Sequence, residues 1–147
     1  MKINKNKTVL SKSIEDVEWY IFDAAEYKLG RLTSKISYIL KNKHKNTYLP
    51  YASGKSQVIV INSKKVQITG KKSEQKIYRK HSGRPGSMKL ETLEKLRERI
   101  PNRIIENALR GMLPKNSLGR KLFKKVKIYP GEQHPHKSQN PVKINIK

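Results

Sequence analysis

Over 147 residues, 34 Lys and Arg stand against 11 Asp and Glu, a formal net charge of +23 with a pI near 10.3. A chain of this size forms one domain with a modest core, and so large a positive excess repels itself unless a polyanion neutralises it. Nucleic acid is therefore the implied partner and a membrane surface the weaker alternative. The absence of Cys excludes disulfides, thiolate metal sites and Cys nucleophiles. No apolar run is long enough to span a bilayer, and no apolar stretch near Met1 resembles a secretory signal.

Residues 1–17 are polar, rich in Lys and Asn and without periodicity, and read as a flexible basic arm. Trp19-Tyr20-Ile21-Phe22 has the aromatic and β-branched content of a strand. A helix is predicted from about Arg31 to Asn42, with Leu32, Ile36, Ile39 and Leu40 as its apolar stripe. Its other side carries Arg31, Lys35, Tyr38 and Lys41. An ordinary solvated face mixes signs, but no acid occurs between Tyr27 and Ser73. A loop with Lys43, His44, Lys45, Tyr48 and Tyr51 follows. The run Val58-Ile59-Val60-Ile61 suits a central buried strand, and Val66 and Ile68 predict an alternating continuation of it. Strand, helix and buried strand form a βαβ unit, which predicts a largely parallel sheet covered by helices.

Ile77-Tyr78-Arg79 reads as extended, and His81-Ser82-Gly83-Arg84-Pro85-Gly86 as a loop whose glycines let backbone approach a ligand. A charged helix is predicted over Glu91–Arg99, with Leu93 and Leu96 inward and Glu91 paired to Lys95 at i, i+4, worth ~0.3–0.5 kcal/mol. Pro101 suits the first turn of the next helix. There Ile104, Ile105, Ala108, Leu109 and Met112 share one side and Arg103 and Arg110 the other. The chain breaks at Leu113-Pro114 and resumes from Leu118 to Lys125. Between Glu106 and Glu132 no acid occurs, while Arg110, Lys115, Arg120, Lys121, Lys124, Lys125 and Lys127 do. A segment that anchors itself in a core and turns only positive charge outward fits a polyanion. The tail over 131–147, with His134-Pro135-His136, shows no core pattern and is predicted to be extended.

Signs of catalysis are few. Ser53-Gly54-Lys55-Ser56 has the end of a phosphate-binding loop, but Leu49 stands where that motif needs Gly, and a strand follows instead of a helix. It is read as a turn. The glutamates near Lys95, Arg97 and Arg99 read as surface pairing. His44, His81, His134 and His136 have no carboxylate or Cys nearby in sequence to complete a metal shell. Single histidines and tyrosines among Lys and Arg suit contact with RNA, where cations fix register on phosphates and rings stack on unpaired bases. No GXXG loop, RNP aromatic motif or helix-turn-helix pattern fits. Composition and pattern thus reach a compact α/β domain bound to structured nucleic acid, with no catalytic residues, metal or cofactor. A free RNA-binding regulator is the alternative; an RNA-processing enzyme lacks any clustered acids, Cys or His.

Particular stretches reach further. WYIFDA, LGRLTSKIS, HKNTYLPY, VIVIN with KVQITGKK, YRKHSGRPG, GMLPKNSLGR, LFKKVKIYPG and EQHPH occur in this order. With them the chain resembles the bacterial-type large-subunit ribosomal protein thirteen family from Trp19 to about Pro141. The resemblance implies a single three-layer α/β/α domain over 18–130 with a small, mainly parallel sheet and extended basic termini. It implies a non-catalytic protein that binds large-subunit rRNA, lies among other large-subunit proteins and acts early in subunit assembly, with no membrane and no small-molecule substrate. Carried over by position, the contacts are Arg31, Lys43, His44, Lys45 and Tyr48, then Lys71 and Lys72, then His81, Gly83 and Arg84. Arg110, Lys115, Arg120, Lys124 and Lys127 follow, with His134 in the tail; Lys35, Lys121 and Lys125 join them from the acid-free spans. The family commonly has an acid after the glycine at Gly54, where this chain has Lys55. Heavy use of Lys, Asn and Ile fits an A/T-rich genome, and the expectation is a plastid-encoded protein of chloroplast stromal ribosomes, with a bacterial cytoplasm the alternative.

Overall fold

A computed structural model describes residues 17–46 and 48–144. The arm over 1–17 therefore lies, Val17 apart, outside the described residues. β1 (Trp19–Asp23) ends where the Asp23 carboxylate accepts the Ala25 N–H at 2.9 Å, capping a 3₁₀ turn. α1 (Leu29–Leu40) starts two residues before the predicted Arg31 and buries Leu32, Ile36, Ile39 and Leu40 as expected. β2 (Gln57–Ile61) lies parallel to β1, with Tyr20 opposite Val58 and Phe22 opposite Val60.

The predicted strand through Val66 and Ile68 does not form. Asn62 turns the chain with a left-handed φ of 58°, and a 3₁₀ turn over Ser63–Lys65 follows. The carbonyls of Lys64 and Val66 accept from the Arg97 side chain, at 2.8 and 3.2 Å, in place of a strand ladder. Only a parallel bridge between Lys28 and Gln67 remains.

After α2 (Lys72–Gln75), β3 (Ile77–Lys80) and β4 (Lys89–Thr92) form an antiparallel hairpin. The predicted helix over Glu91–Arg99 is thus shorter: α3 is Leu93–Arg99. Glu91 sits on β4, so its partner is not Lys95. Its two oxygens accept from Arg99 at 2.9 and 2.6 Å. Leu93 and Leu96 are buried as predicted.

α4 (Asn102–Met112) follows Pro101, whose φ of −59° is already helical. Ile104, Ile105 and Leu109 are buried, whereas Met112, predicted on the same stripe, is exposed at the helix end. α5 (Ser117–Lys124) is capped by Asn116, whose side-chain oxygen accepts the Gly119 N–H at 2.9 Å. β5 (Val126–Ile128) pairs in parallel with β2. The tail returns as β6 (Val142–Lys143), parallel to β1.

The larger sheet runs β5-β2-β1-β6 with every pair parallel. Phe22, Val58 and Val60 face the helices and share a core with Leu32, Ile36, Ile105, Leu109 and Leu122. Alternation sends Trp19, Ile21 and Ile59 to the other face, where the tail lies and His136 stacks on Trp19 at 5.2 Å. The α/β single domain on a mainly parallel sheet is the fold the sequence predicts.

This topology decides what meets what. α1 and α5 both feed strands whose amino ends lie together, so the 41–56 and 113–125 connections are brought to one end of the sheet. At the opposite end Ser63 Oγ donates to Asn102 Oδ1 at 2.5 Å and Asn102 Nδ2 to Ile128 O at 3.1 Å. These bonds fix where α4 begins, and its length carries Arg110 back toward the amino ends of the strands.

Candidate nucleic-acid interface

Three clefts form one continuous basic belt. The first, of about 480 Å³, is lined by Arg110, Leu113, Pro114, Lys115, Gly119, Arg120, Phe123 and Lys124. The Arg110 guanidinium lies over the Phe123 ring, 4.8 Å from its centre. Gly119 makes this corner tight: a Cβ there would lie 1.8 Å from the Pro114 carbonyl oxygen. Pro114 is shared with a smaller cleft of about 130 Å³ that includes Lys41, Lys43, Tyr48 and Leu118. There Lys43 Nζ lies 5.9 Å from the Tyr48 ring centre, and Lys41 Nζ donates to Met112 O at 3.3 Å. Arg110 is shared with the third cleft, also about 480 Å³, which carries Arg79, Lys80, Lys89, Arg99 and Arg103. Among the described residues Glu91 is the one acid lining the three, and Arg99 already holds it. Their hydrogen bond keeps the Glu91 carboxyl below the usual carboxylate range.

The predicted contact residues divide by where the fold puts them. Arg110, Lys115, Arg120 and Lys124 meet around one cleft, and Lys43 and Tyr48 adjoin it. His81, Gly83 and Arg84 form the exposed tip of the hairpin. Gly83, at φ 95°, donates its N–H to His81 Nδ1 at 2.9 Å, and Ser82 Oγ to Ser87 Oγ at 2.6 Å closes the loop. Arg31, Lys35, Lys121 and Lys127 are exposed outside these clefts, with Lys35 Nζ 6.0 Å from the Tyr38 ring. Lys71 is exposed beside α2, and Lys72 lines a separate, largely apolar cleft with Lys28, Lys76 and Leu93.

Four predicted residues make contacts within the fold: Lys45, Lys125 and His134, which are half-buried, and His44, which is exposed. Lys45 Nζ donates to Glu18 Oε1 at 2.8 Å, and Tyr20 donates its hydroxyl to Glu18 Oε2 at 2.5 Å. The bond from Lys45, then that from Tyr20, holds Glu18 below the usual carboxylate range. His44 meets the Tyr20 ring edge-on at 6.2 Å. Lys125 Nζ donates to Gly54 O and to Ser53 Oγ, the latter at 2.9 Å, and burial pushes its pKa down. The GKS-like turn is thus a docking point for Lys125, next to Ser56, whose hydroxyl bonds Asn42 Oδ1 at 2.8 Å. His134 lies beside Tyr129, ring centres 6.5 Å apart, while Tyr129 and His136 are joined at 2.8 Å. These groups fasten the tail to β1.

Sequence reasoning put Lys41 on the basic face of α1 but missed Phe123, Arg79, Lys80, Lys89, Arg99 and Arg103 as belt residues. Lys80 and Lys89 pair across the hairpin, and Lys on both flanks of the Gly-rich loop was the available signal. Among the described residues no group of three or more His, Asp or Glu could hold a metal ion. No helix among them is long and apolar enough to cross a membrane.

A belt of cations and rings is equipped to hold a polyanion. Comparison with known proteins agrees. The family model for ribosomal protein L13 matches residues 17–135. Large ribosomal subunit protein uL13 of Crocosphaera subtropica is 55% identical over 131 residues, covering 89% of this chain and 87% of the relative. Its counterpart in Trichodesmium erythraeum is 55% identical over 142 residues, covering 96% and 94%, and that of Gloeothece citriformis is 57% identical over 131, covering 89% and 87%. With the match spanning both strands of the βαβ unit, the hairpin and the whole α4–α5 corner, this chain belongs to the ribosomal protein L13 family.

Proposed function

We propose that this chain is a structural, non-catalytic constituent of the large ribosomal subunit, binding large-subunit rRNA through the basic belt and acting early in subunit assembly. The observation that carries this reading is the joining of three clefts through Arg110 and Pro114 into one surface with no free acid among its described lining residues. In this reading Arg110, Lys115, Arg120, Lys124 and Lys43 sit on phosphates. His81, Gly83 and Arg84 present the hairpin tip to a second rRNA segment. Arg31, Lys35, Lys71, Lys72, Lys121 and Lys127 add outlying contacts, whereas His44, Lys45, Lys125 and His134 hold the belt and tail in place. Neutralising both segments lets rRNA helices that repel one another pack side by side, next to neighbouring large-subunit proteins. Residues 18–130 supply most of the body, and the tail returns to it as β6, the edge strand of the larger sheet.

We infer a plastid ribosome as its place of work, with a bacterial cytoplasm the alternative, from the Lys-, Asn- and Ile-rich composition. Organelle fractionation that finds the protein only in bacterial cytoplasm overturns that assignment. The binding itself is tested by measuring affinity for large-subunit rRNA across a salt series. Each neutralised phosphate contributes roughly −0.7 to −0.9 to the log–log slope, so five belt cations give about −4. A slope near zero overturns the reading.

A further inference from the structure

The belt's first cleft has more than phosphate binding requires. Phosphates are met by exposed cations on a flat face, as Arg31 and Lys35 on α1 already offer. The cleft instead has an apolar floor of Leu113, Pro114 and Phe123 inside a rim of cations. Its volume of about 480 Å³ falls within the range of cavities that enclose small organic ligands, about 300–1,000 Å³. An RNA duplex has nothing to place there, because its bases are stacked inside and its major groove is too narrow for side chains.

We propose that this cleft receives one unpaired RNA base. The base stacks on the Arg110–Phe123 pair, and its flanking phosphates meet Lys115, Arg120 and Lys124. The inference rests on the rRNA-binding reading and deepens it: the ligand at this point is an extruded nucleotide and not a helix backbone. Three features support it. The guanidinium and ring already lie together at 4.8 Å, a platform of the kind on which bases stack. No acid among the described residues lines the cleft. The corner is also preformed, since the Asn116 cap and the contact of Gly119 with Pro114 O hold α5 against the preceding loop, so binding need not order it.

The test uses the full chain and a short single-stranded RNA carrying 5-iodouridine, which forms photochemical crosslinks to rings it stacks upon. Crosslinked peptides are mapped, and affinity is measured for the single strand and for a duplex of the same sequence. The proposal expects the crosslink at Phe123. It expects Phe123→Leu to weaken single-strand binding about tenfold and duplex binding markedly less. A crosslink confined to the exposed rings Tyr38, Tyr48 or Tyr51 overturns it, as does equal loss for both RNAs in a folded Phe123→Leu. Crosslink mapping on the unaltered chain decides the matter even where that variant fails to fold. Steep salt-dependent binding of large-subunit rRNA with the crosslink elsewhere sinks this inference alone; failure to bind rRNA at all sinks both.

Discussion

The Arg110 guanidinium carbon lies 4.8 Å from the centre of the Phe123 ring, joining α4 to α5 across the break at Leu113-Pro114. This contact is structural, and in the proposed reading it also belongs to the rRNA-binding surface. Arg110→Ala is expected to cost about 0.5–1 kcal/mol of stability through the lost cation–π contact. It also lowers rRNA affinity several-fold. Arg110→Lys keeps the charge but not the planar stack, so it preserves the salt slope better than the thermal midpoint. Thermal unfolding and a salt series separate the two roles. An Arg110→Ala chain with unaltered affinity removes Arg110 from the interface.

Two helical glycines give opposite predictions. A Cβ on Gly119 would lie 1.8 Å from Pro114 O, whereas a Cβ on Gly111 meets nothing within 4 Å. Gly119→Ala forces α5 off the preceding loop and costs about 1–3 kcal/mol, as other overpacking does. It weakens rRNA binding by displacing Lys115 and Arg120 relative to one another. Gly111→Ala, inside α4, stabilises by about 0.5–1 kcal/mol because the unfolded chain loses freedom. Chemical denaturation of both variants checks the pair.

Asn62 combines a left-handed φ of 58° with a bond from its Nδ2 to Asp23 Oδ1 at 3.0 Å. Asn62→Gly keeps the conformation and loses the bond. Asn62→Ala loses the bond and adds about 1–2 kcal/mol of backbone strain. The Ala variant should therefore unfold first in a denaturant series. Equal midpoints contradict this account of the turn after β2.

The Glu18–Tyr20–Lys45 group gives stability a pH profile with two arms. Glu18 is lowered in the folded chain, so its contribution is full above the ordinary carboxylate value and disappears as pH falls through the lowered one. Tyr20 is raised from 10.0 to about 12, by burial first and by its bond to Glu18 second. Its contribution is full below pH 10.0 and is lost as pH rises toward about 12. Tyr20→Phe should shrink the alkaline arm without abolishing it, because burial also raises Tyr78. Glu18→Gln should shrink the acid arm. Midpoints measured across pH test both, and an unchanged alkaline arm in Tyr20→Phe contradicts the assignment.

Much of this fold is legible in the chain because burial imposes a period. Leu32, Ile36, Ile39 and Leu40 mark α1, and the run from Val58 marks a central strand. Elements that bury little leave no such mark. Lys89-Leu90-Glu91-Thr92 leads into Leu93-Glu94-Lys95-Leu96 without a break in charge pattern, so β4 reads as the start of a helix. β6 has two residues at the sheet edge, placed by contacts far away in sequence such as His136 on Trp19 and Lys143 Nζ on Glu26 at 3.1 Å. At the site, acid-free spans point to the α4–α5 corner, but side-chain direction is not local information. Lys124 and Lys125 are neighbours in sequence; one lines a cleft and the other is held by Gly54 O and Ser53. Only the meeting of the 41–56 and 113–125 connections reveals which is which.

The most direct test of the central claim follows the protein through a sucrose gradient after a high-salt wash of ribosomes. The unaltered chain is compared with a folded Arg110→Gln, Lys115→Gln, Arg120→Gln, Lys124→Gln variant. The account predicts that the unaltered chain stays with the large subunit and that the fourfold variant washes into the light fractions. Equal retention of the two would show that the belt does not hold the protein to rRNA, and loss of both would show that the chain is not an integral component of the subunit.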